Sequence, residues 1–83
     1  MSTNLSDYTQ QQQEILKDYT SWSGGWLPET KYECGRYTNN MYDKKDPMNK
    51  TCKEFLYTIA ALSYQDRTKL EDDIINNFLK NIF

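Results

Sequence analysis

The chain predicts an all-α fold, a small bundle of three or four short helices, and three observations carry that expectation. Apolar residues recur at three- and four-residue spacing through most of the chain. Helix starts are marked by Ser6, by Asp46-Pro47 and by Ser63 three residues before Asp66. The one strand-like alternation, Lys31-Tyr32-Glu33-Cys34, fails at Gly35-Arg36 after a single cycle.

The first helix is expected over 6–23. Ser6 suits the N-cap, and Asp7 places a carboxylate in the first turn, where the helix dipole favours it. Leu5, Tyr8, Ile15, Leu16, Tyr19 and Trp22 fall within about 120° of a helical wheel, with Gln10 to Gln13 covering the remaining surface. Ser23-Gly24-Gly25 ends this helix, because glycine takes the left-handed conformation of a C-terminal cap without penalty. A second helix is expected over 28–42, with Pro28 in its first turn. Thr30, Cys34, Tyr37 and Met41 make its stripe, Tyr32 and Tyr42 lie outside it, and Gly35 weakens it by about 1 kcal/mol relative to alanine.

Asp43-Lys44-Lys45 reads as a solvated connector, and Asp46-Pro47 opens a third helix over 47–62. Met48, Cys52, Phe55, Ile59 and Leu62 form its apolar stripe, widened by Leu56 and Ala60. The Ser63-to-Asp66 spacing opens a fourth helix over 64–82. Leu70, Ile74 and Phe78 line one side of it. Ile75, Leu79, Ile82 and Phe83 widen its apolar arc to about 220°, more than packing on one side requires. Short connections place consecutive helices side by side, so the C-terminal pair from Asp46 to Phe83 is expected to run antiparallel and to form the core.

With 83 residues the expectation is one domain over 1–83, frayed at 1–5. Mean hydropathy is low, −0.93. Seven Tyr, three Phe and two Trp nevertheless supply enough burial for a core, since each ring covers about 150–250 Å². The net charge of −2 provides no general attraction to nucleic acid or anionic membrane. Charge is uneven: Lys17 stands against Asp7, Glu14, Asp18 and Glu29 in residues 1–30, a net of −3, and residues 31–53 net +3. Residues 1–6 lack the basic start and apolar run of a signal peptide, and Phe55 to Leu62 is too short to span a bilayer. A cytoplasmic protein without membrane contact is therefore expected, with Cys34 and Cys52 as free thiols and a disulfide between them as the alternative.

The residue types exclude most catalytic chemistry. The chain has no histidine, which removes the commonest general base and most zinc sites. Two cysteines do not complete a tetrahedral site, so no metal, cofactor or catalytic residue is assigned and no enzyme is expected. Glu71-Asp72-Asp73 point about 100° apart on a helix and read as a solvated face, with Lys69 and Asp73 paired four residues apart. Asn49-Lys50-Thr51 matches a glycosylation sequon, which has meaning only in a secreted protein.

The remaining signal is a surface rich in the side chains that dominate protein interfaces. The leading expectation is a non-catalytic, stoichiometric protein-binding module with Trp22, Trp26, Tyr37, Tyr42, Ile75 and Leu79 as its contact residues. No known family is recognised in these residues; the short, Asn-, Lys- and Tyr-rich, catalytically empty composition alone has the look of a phage or other viral accessory protein, and the expected role is to bind and block or modulate a larger host or phage protein. One alternative is a self-associating structural subunit or virion component, such as a homodimer. Another is weak nucleic-acid binding by the aromatic-interleaved basic residues Lys31, Arg36, Lys44 and Lys45.

Overall fold

The computed structural model describes residues 4–79, without the Leu79 side chain. The fold is all-α, with four short helices and no strand among the described residues. A 3₁₀ turn, Leu5–Asp7, precedes helix α1, Gln10–Ser23. Helices α2, Lys31–Met41, α3, Pro47–Ala60, and α4, Tyr64–Ile74, follow, and a π-helical segment, Ile75–Leu79, closes the described chain.

Helix α1 begins at Thr9 rather than Ser6. The Thr9 hydroxyl accepts the Gln12 N–H at 3.1 Å while the Gln12 side chain accepts the Thr9 N–H at 3.1 Å, a reciprocal capping box. Ser6 has Thr9 at the corresponding position, which has no amide or carboxylate to return the bond. The residues before the box form the 3₁₀ turn, and Leu5, expected to fray, is buried. At the other end the N–H groups of Gly24 and Gly25 both donate to the Thr20 carbonyl, at 3.0 and 2.7 Å. Their φ angles of +87° and +110° lie in the left-handed region that glycine tolerates.

Helix α2 starts three residues later than Pro28 suggests, because Thr30 caps it by accepting the Glu33 N–H at 3.3 Å. Its buried residues are Cys34, Tyr37 and Thr38, whereas Thr30 is an exposed cap and Met41 is 51% exposed. Helix α3 starts as its sequence requires, with the Asp46 carboxylate accepting the Met48 N–H at 2.9 Å and Pro47 at the first position. Its buried face is Asn49, Cys52, Leu56 and Ile59, so Met48, Phe55 and Leu62 are half-buried flanks. Ser63 caps α4, accepting the Asp66 N–H at 3.2 Å, and Leu70 and Ile74 are buried on it. After Ile74 the backbone widens to π-helical turns, which changes the angular register that a regular wheel assumes. Residues 80–82 of the expected helix, and Phe83, lie outside the described residues.

The described residues form two compact units, and the stretch beginning at Asp46 supplies one helix to each. The first comprises the described parts of Met1–Leu27 and Ser63–Phe83. In it the Leu5 N–H donates to the Asp73 carboxylate, the Leu27 N–H donates to Glu71 Oε2 at 3.3 Å, and Lys17 Nζ lies 5.4 Å from the centre of the Phe78 ring. The second, Pro28–Leu62, is built on the packing of α2 against α3. Here the Asn49 amide, buried on α3, donates to the Thr38 carbonyl at 3.2 Å, the Tyr42 carbonyl at 3.3 Å and Asn39 Oδ1 at 3.2 Å. Those carbonyls lie at the C-terminal end of α2, where the Thr38 carbonyl also accepts the Tyr42 N–H at 2.9 Å and the Tyr42 carbonyl has no following helical turn.

Asn49→Ala removes that donor from a buried site and is expected to lower unfolding free energy by about 1–3 kcal/mol. Asn39→Ala, which removes one exposed acceptor, is expected to cost under about 1 kcal/mol. Gly35 gives the opposite sign. A Cβ built there meets no atom within 4 Å in a helix interior, so Gly35→Ala is expected to stabilise by about 0.5–1 kcal/mol. Urea titration followed by far-ultraviolet circular dichroism reads all three.

Candidate protein-binding surface

The turn after α1 is held by a short chain of local bonds. The Ser23 hydroxyl donates to the Trp26 carbonyl and accepts the Trp26 N–H at 3.1 Å, closing a ring around Gly24 and Gly25. The next residue, Leu27, buries its side chain and gives its N–H to Glu71 on α4. The backbone of Trp26 is therefore fixed on both sides, yet its side chain is 70% exposed. Before the turn, Trp22 is 38% exposed, with its ring centroid 5.7 Å from that of buried Tyr19 at an interplanar angle of 55°. Tilted packing of this kind supports one side of the indole and leaves another side to solvent.

The other expected contact residues separate by environment. Ile75, in the same unit, is 37% exposed on the first residue of the π-helical segment. The Leu79 side chain lies outside the described residues. Tyr37 does not belong to a surface: it is 1% exposed and is a core residue of the second unit. It lies on the buried side of α2 with Cys34 and Thr38, and burial there leaves no ring area for a partner. Tyr42 is half-buried, with its carbonyl accepting from Asn49. Two exposed tyrosines had no place in the expected surface. Tyr32 stands outside the α2 stripe, and Tyr64 directly follows the Ser63 cap, in the first turn of its helix.

The four basic candidates are all exposed, but they do not build one basic face from α2. Arg36 stands five positions after Lys31, which turns their directions about 140° apart on a helix. Lys31 Nζ sits 5.3 Å from the centre of the Tyr57 ring within its own unit. Lys44 and Lys45 follow the helix, where Asp43 Oδ1 accepts the Lys45 N–H at 3.1 Å.

The acidic run on α4 is not a uniformly solvated face. Asp72 is exposed, but Glu71 accepts the Leu27 N–H, and Asp73 accepts both the Leu5 N–H and the Asn77 side-chain amide, the latter at 3.0 Å. Two of the three carboxylates thus anchor backbone on either flank of α1. The sequon asparagine is likewise engaged: Asn49 is buried with its amide nitrogen fully used, so the folded unit has no room for a glycan there.

Cys34 and Cys52 are free, and both are buried. Burial pushes the Cys34 thiol up to about 11 from 9.0, with further upward contributions from the charges of Glu33 and Cys52. The Cys34 Sγ donates to the Thr30 carbonyl at 3.4 Å. Among the described residues no three His, Cys, Asp or Glu side chains gather as a metal-binding group, and no helix is long and apolar enough to cross a membrane. No protein-family model, curated protein or solved structure matches the chain.

A thiol with that acidity is about a hundredfold less ionised at pH 8 than an ordinary one, and only the thiolate attacks. Native protein at pH 8 is expected to react with a disulfide reagent at Cys34 at least about a hundredfold more slowly than protein in urea. The direction of the pH dependence follows from the same shift. The contribution of Cys34 to stability is complete below about pH 9, where the unfolded thiol titrates, and is lost as pH rises through about 11. Absorbance-monitored thiol exchange with a Cys52→Ala variant checks the rate.

Proposed function

We propose that the chain is a non-catalytic protein-binding module that occupies a surface on a larger protein, with Trp26 as its principal anchor and Trp22 beside it along the chain. A single observation carries this reading: Trp26 offers 70% of its surface to solvent from a backbone held by Ser23 and by Glu71. Isolated exposed apolar residues are ordinary on protein surfaces. An exposed indole on a fixed turn is different, because the ordering cost of binding is met in folding rather than in association.

The magnitudes are adequate for an anchor. A tryptophan side chain covers about 150–250 Å², and apolar burial yields about 25 cal/mol per Å². Covering the exposed part of Trp26 is then worth about 3–4 kcal/mol before association costs, the range of an interface hot spot. Trp22 adds a smaller exposed area that its contact with Tyr19 keeps oriented. The short, Asn-, Lys- and Tyr-rich composition supports a viral accessory role, in which binding blocks or modulates a host or phage protein.

Tagged wild-type protein and a Trp22→Ala/Trp26→Ala variant, compared in a pull-down from the lysate of cells that make the protein, test this reading. The wild type is expected to retain a protein that the variant loses, while the variant keeps its helical circular dichroism. Recovery of the same proteins by both, with the variant folded, removes the tryptophans as anchors.

A further inference from the structure

We infer that Cys34 and Cys52 form a reversible dithiol–disulfide couple, whose oxidation ties α2 to α3 by an internal disulfide in the second unit. This is independent of the tryptophan-anchored reading, which concerns the first unit. The register of the two helices supplies the first observation. The Asn49 amide donates to the Thr38 carbonyl at 3.2 Å, and Lys31 Nζ lies 5.3 Å from the centre of the Tyr57 ring. Moving back along α2 thus means moving forward along α3, so the two helices are antiparallel. Cys34 lies between Lys31 and Thr38, and Cys52 lies between Asn49 and Tyr57. From the Thr38–Asn49 contact, four residues back along α2 cover about 6 Å and three residues forward along α3 about 4.5 Å, which brings the cysteines to within about 1.5 Å of one level.

The second observation is that both cysteines lie on buried helix faces. Cys34 shares the buried side of α2 with Tyr37 and Thr38, Cys52 falls between Asn49 and Leu56 on the buried side of α3, and both are 0% exposed. Packed helix axes are about 8–10 Å apart and Cα atoms lie about 2.3 Å from each axis, so squarely facing residues have Cα atoms about 3.5–5.5 Å apart, and residues turned aside are farther. A disulfide spans about 4.4–6.8 Å between Cα atoms, which this arrangement supplies. Proximity also leaves an electrostatic trace, because the charge of Cys52 is among the causes that raise the Cys34 thiol.

These features select an internal disulfide over other oxidised forms. A sulfenic acid or a glutathione adduct adds polar or bulky atoms to a site sealed from water, whereas a disulfide removes two hydrogens and leaves the site apolar. Cys34 Sγ gives up its bond to the Thr30 carbonyl, and a thiol is a weak donor. The oxidant is a low-molecular-weight disulfide such as oxidised glutathione. One cysteine thiolate attacks a glutathione sulfur and releases one glutathione thiolate; the other cysteine then attacks the protein sulfur of the mixed disulfide and releases the second. Two electrons pass to glutathione, and the two protons from the cysteines end on its thiols. Burial slows the first attack but does not set the equilibrium. By linkage, a fold that holds the two sulfurs together favours the disulfide by the factor by which the disulfide favours the fold.

The full chain is equilibrated at pH 8 with mixtures of reduced and oxidised glutathione, with and without urea and from both the reduced and the oxidised side. Samples are then quenched in acid, alkylated and weighed by mass spectrometry. The folded chain is expected to end as an internal disulfide without bound glutathione, with an equilibrium constant at least about tenfold larger than in urea. Protein oxidised in urea and then refolded answers the same question without waiting for buried thiols to react. Its helical circular dichroism is expected to match that of the reduced protein, and its urea midpoint to rise by at least about 0.5 M and to return when dithiothreitol reduces it. Cys52→Ala carried through the same treatment is expected to show no rise. The inference is overturned if the folded constant equals or falls below that in urea, or if a glutathione adduct is the end product in the folded chain. It is equally overturned if the refolded disulfide form has an unchanged or lower midpoint, or if Cys52→Ala shows the same rise.

Discussion

The first unit depends on two carboxylates of α4 that accept backbone N–H groups from the two flanks of α1. Asp73 takes the amide of Leu5, ahead of the helix, and Glu71 takes the amide of Leu27, after it. An isolated helix the length of α1 is marginal in water, since nucleation costs more than a few turns return. Its own devices, the Thr9–Gln12 capping box and the glycine turn on Thr20, satisfy its ends but do not attach it to anything. Burial of Ile15, Leu16 and Tyr19 supplies most of that attachment, and the carboxylates fix the chain at its two ends, a bond from an N–H to an ionised acceptor being roughly twice as strong as one to a neutral group. Asn77 completes the arrangement by donating to both the carbonyl and the carboxylate of Asp73. The same bond from Leu27 to Glu71 sets where the chain leaves the Trp26 turn, so the packing of α4 and the presentation of the indole share one cause.

The second unit solves an equivalent problem with a neutral group. Helix α2 ends in extended backbone at Tyr42, without the left-handed glycine that would turn its last carbonyls inward. Asn49 reaches those carbonyls from α3, which explains why a polar residue occupies the buried face of that helix. An amide suits this position, because a carboxylate would present acceptors to acceptors and an apolar side chain would be buried against these carbonyls without donating to either. Cys34 and Cys52 occupy buried positions of α2 and α3 as small apolar groups, with the first thiol held protonated by its surroundings.

Much of this was legible in the residues, because helix starts are local. Asp46-Pro47 and Ser63 with Asp66 mark α3 and α4 where they begin, and Ser23-Gly24-Gly25 marks the end of α1. The shifts at Ser6 and Pro28 are failures to rank two local signals, with a threonine cap prevailing each time. The larger departures come from interactions between residues distant in the chain. Nothing near Asn49 indicates that it caps another helix, so the apolar pattern pointed to Met48 for the buried face. Glu71 and Asp73 read as solvated because their acceptors' partners lie 44 and 68 residues away. Tyr37 has the residue type of a binding anchor and the position of a core residue, and composition alone does not separate the two. Trp26 was legible as a candidate; the bonds that hold its backbone were not.

The Trp26 turn also shows how fastening and exposure are joined in the first unit. A neutral acceptor at position 71 would hold Leu27 as well as a carboxylate does in direction, though less strongly. The Trp26 backbone is engaged by Ser23 through both its N–H and its carbonyl, and the next N–H is taken by Glu71, so the path of the chain through the turn is set without any contribution from the indole. Leu27 is the residue that this path turns inward, and Trp26 is left 70% exposed. The exposure of the indole is therefore a consequence of how α1 is fastened to α4: the bonds that bury Leu27 are the ones that leave its neighbour at the surface.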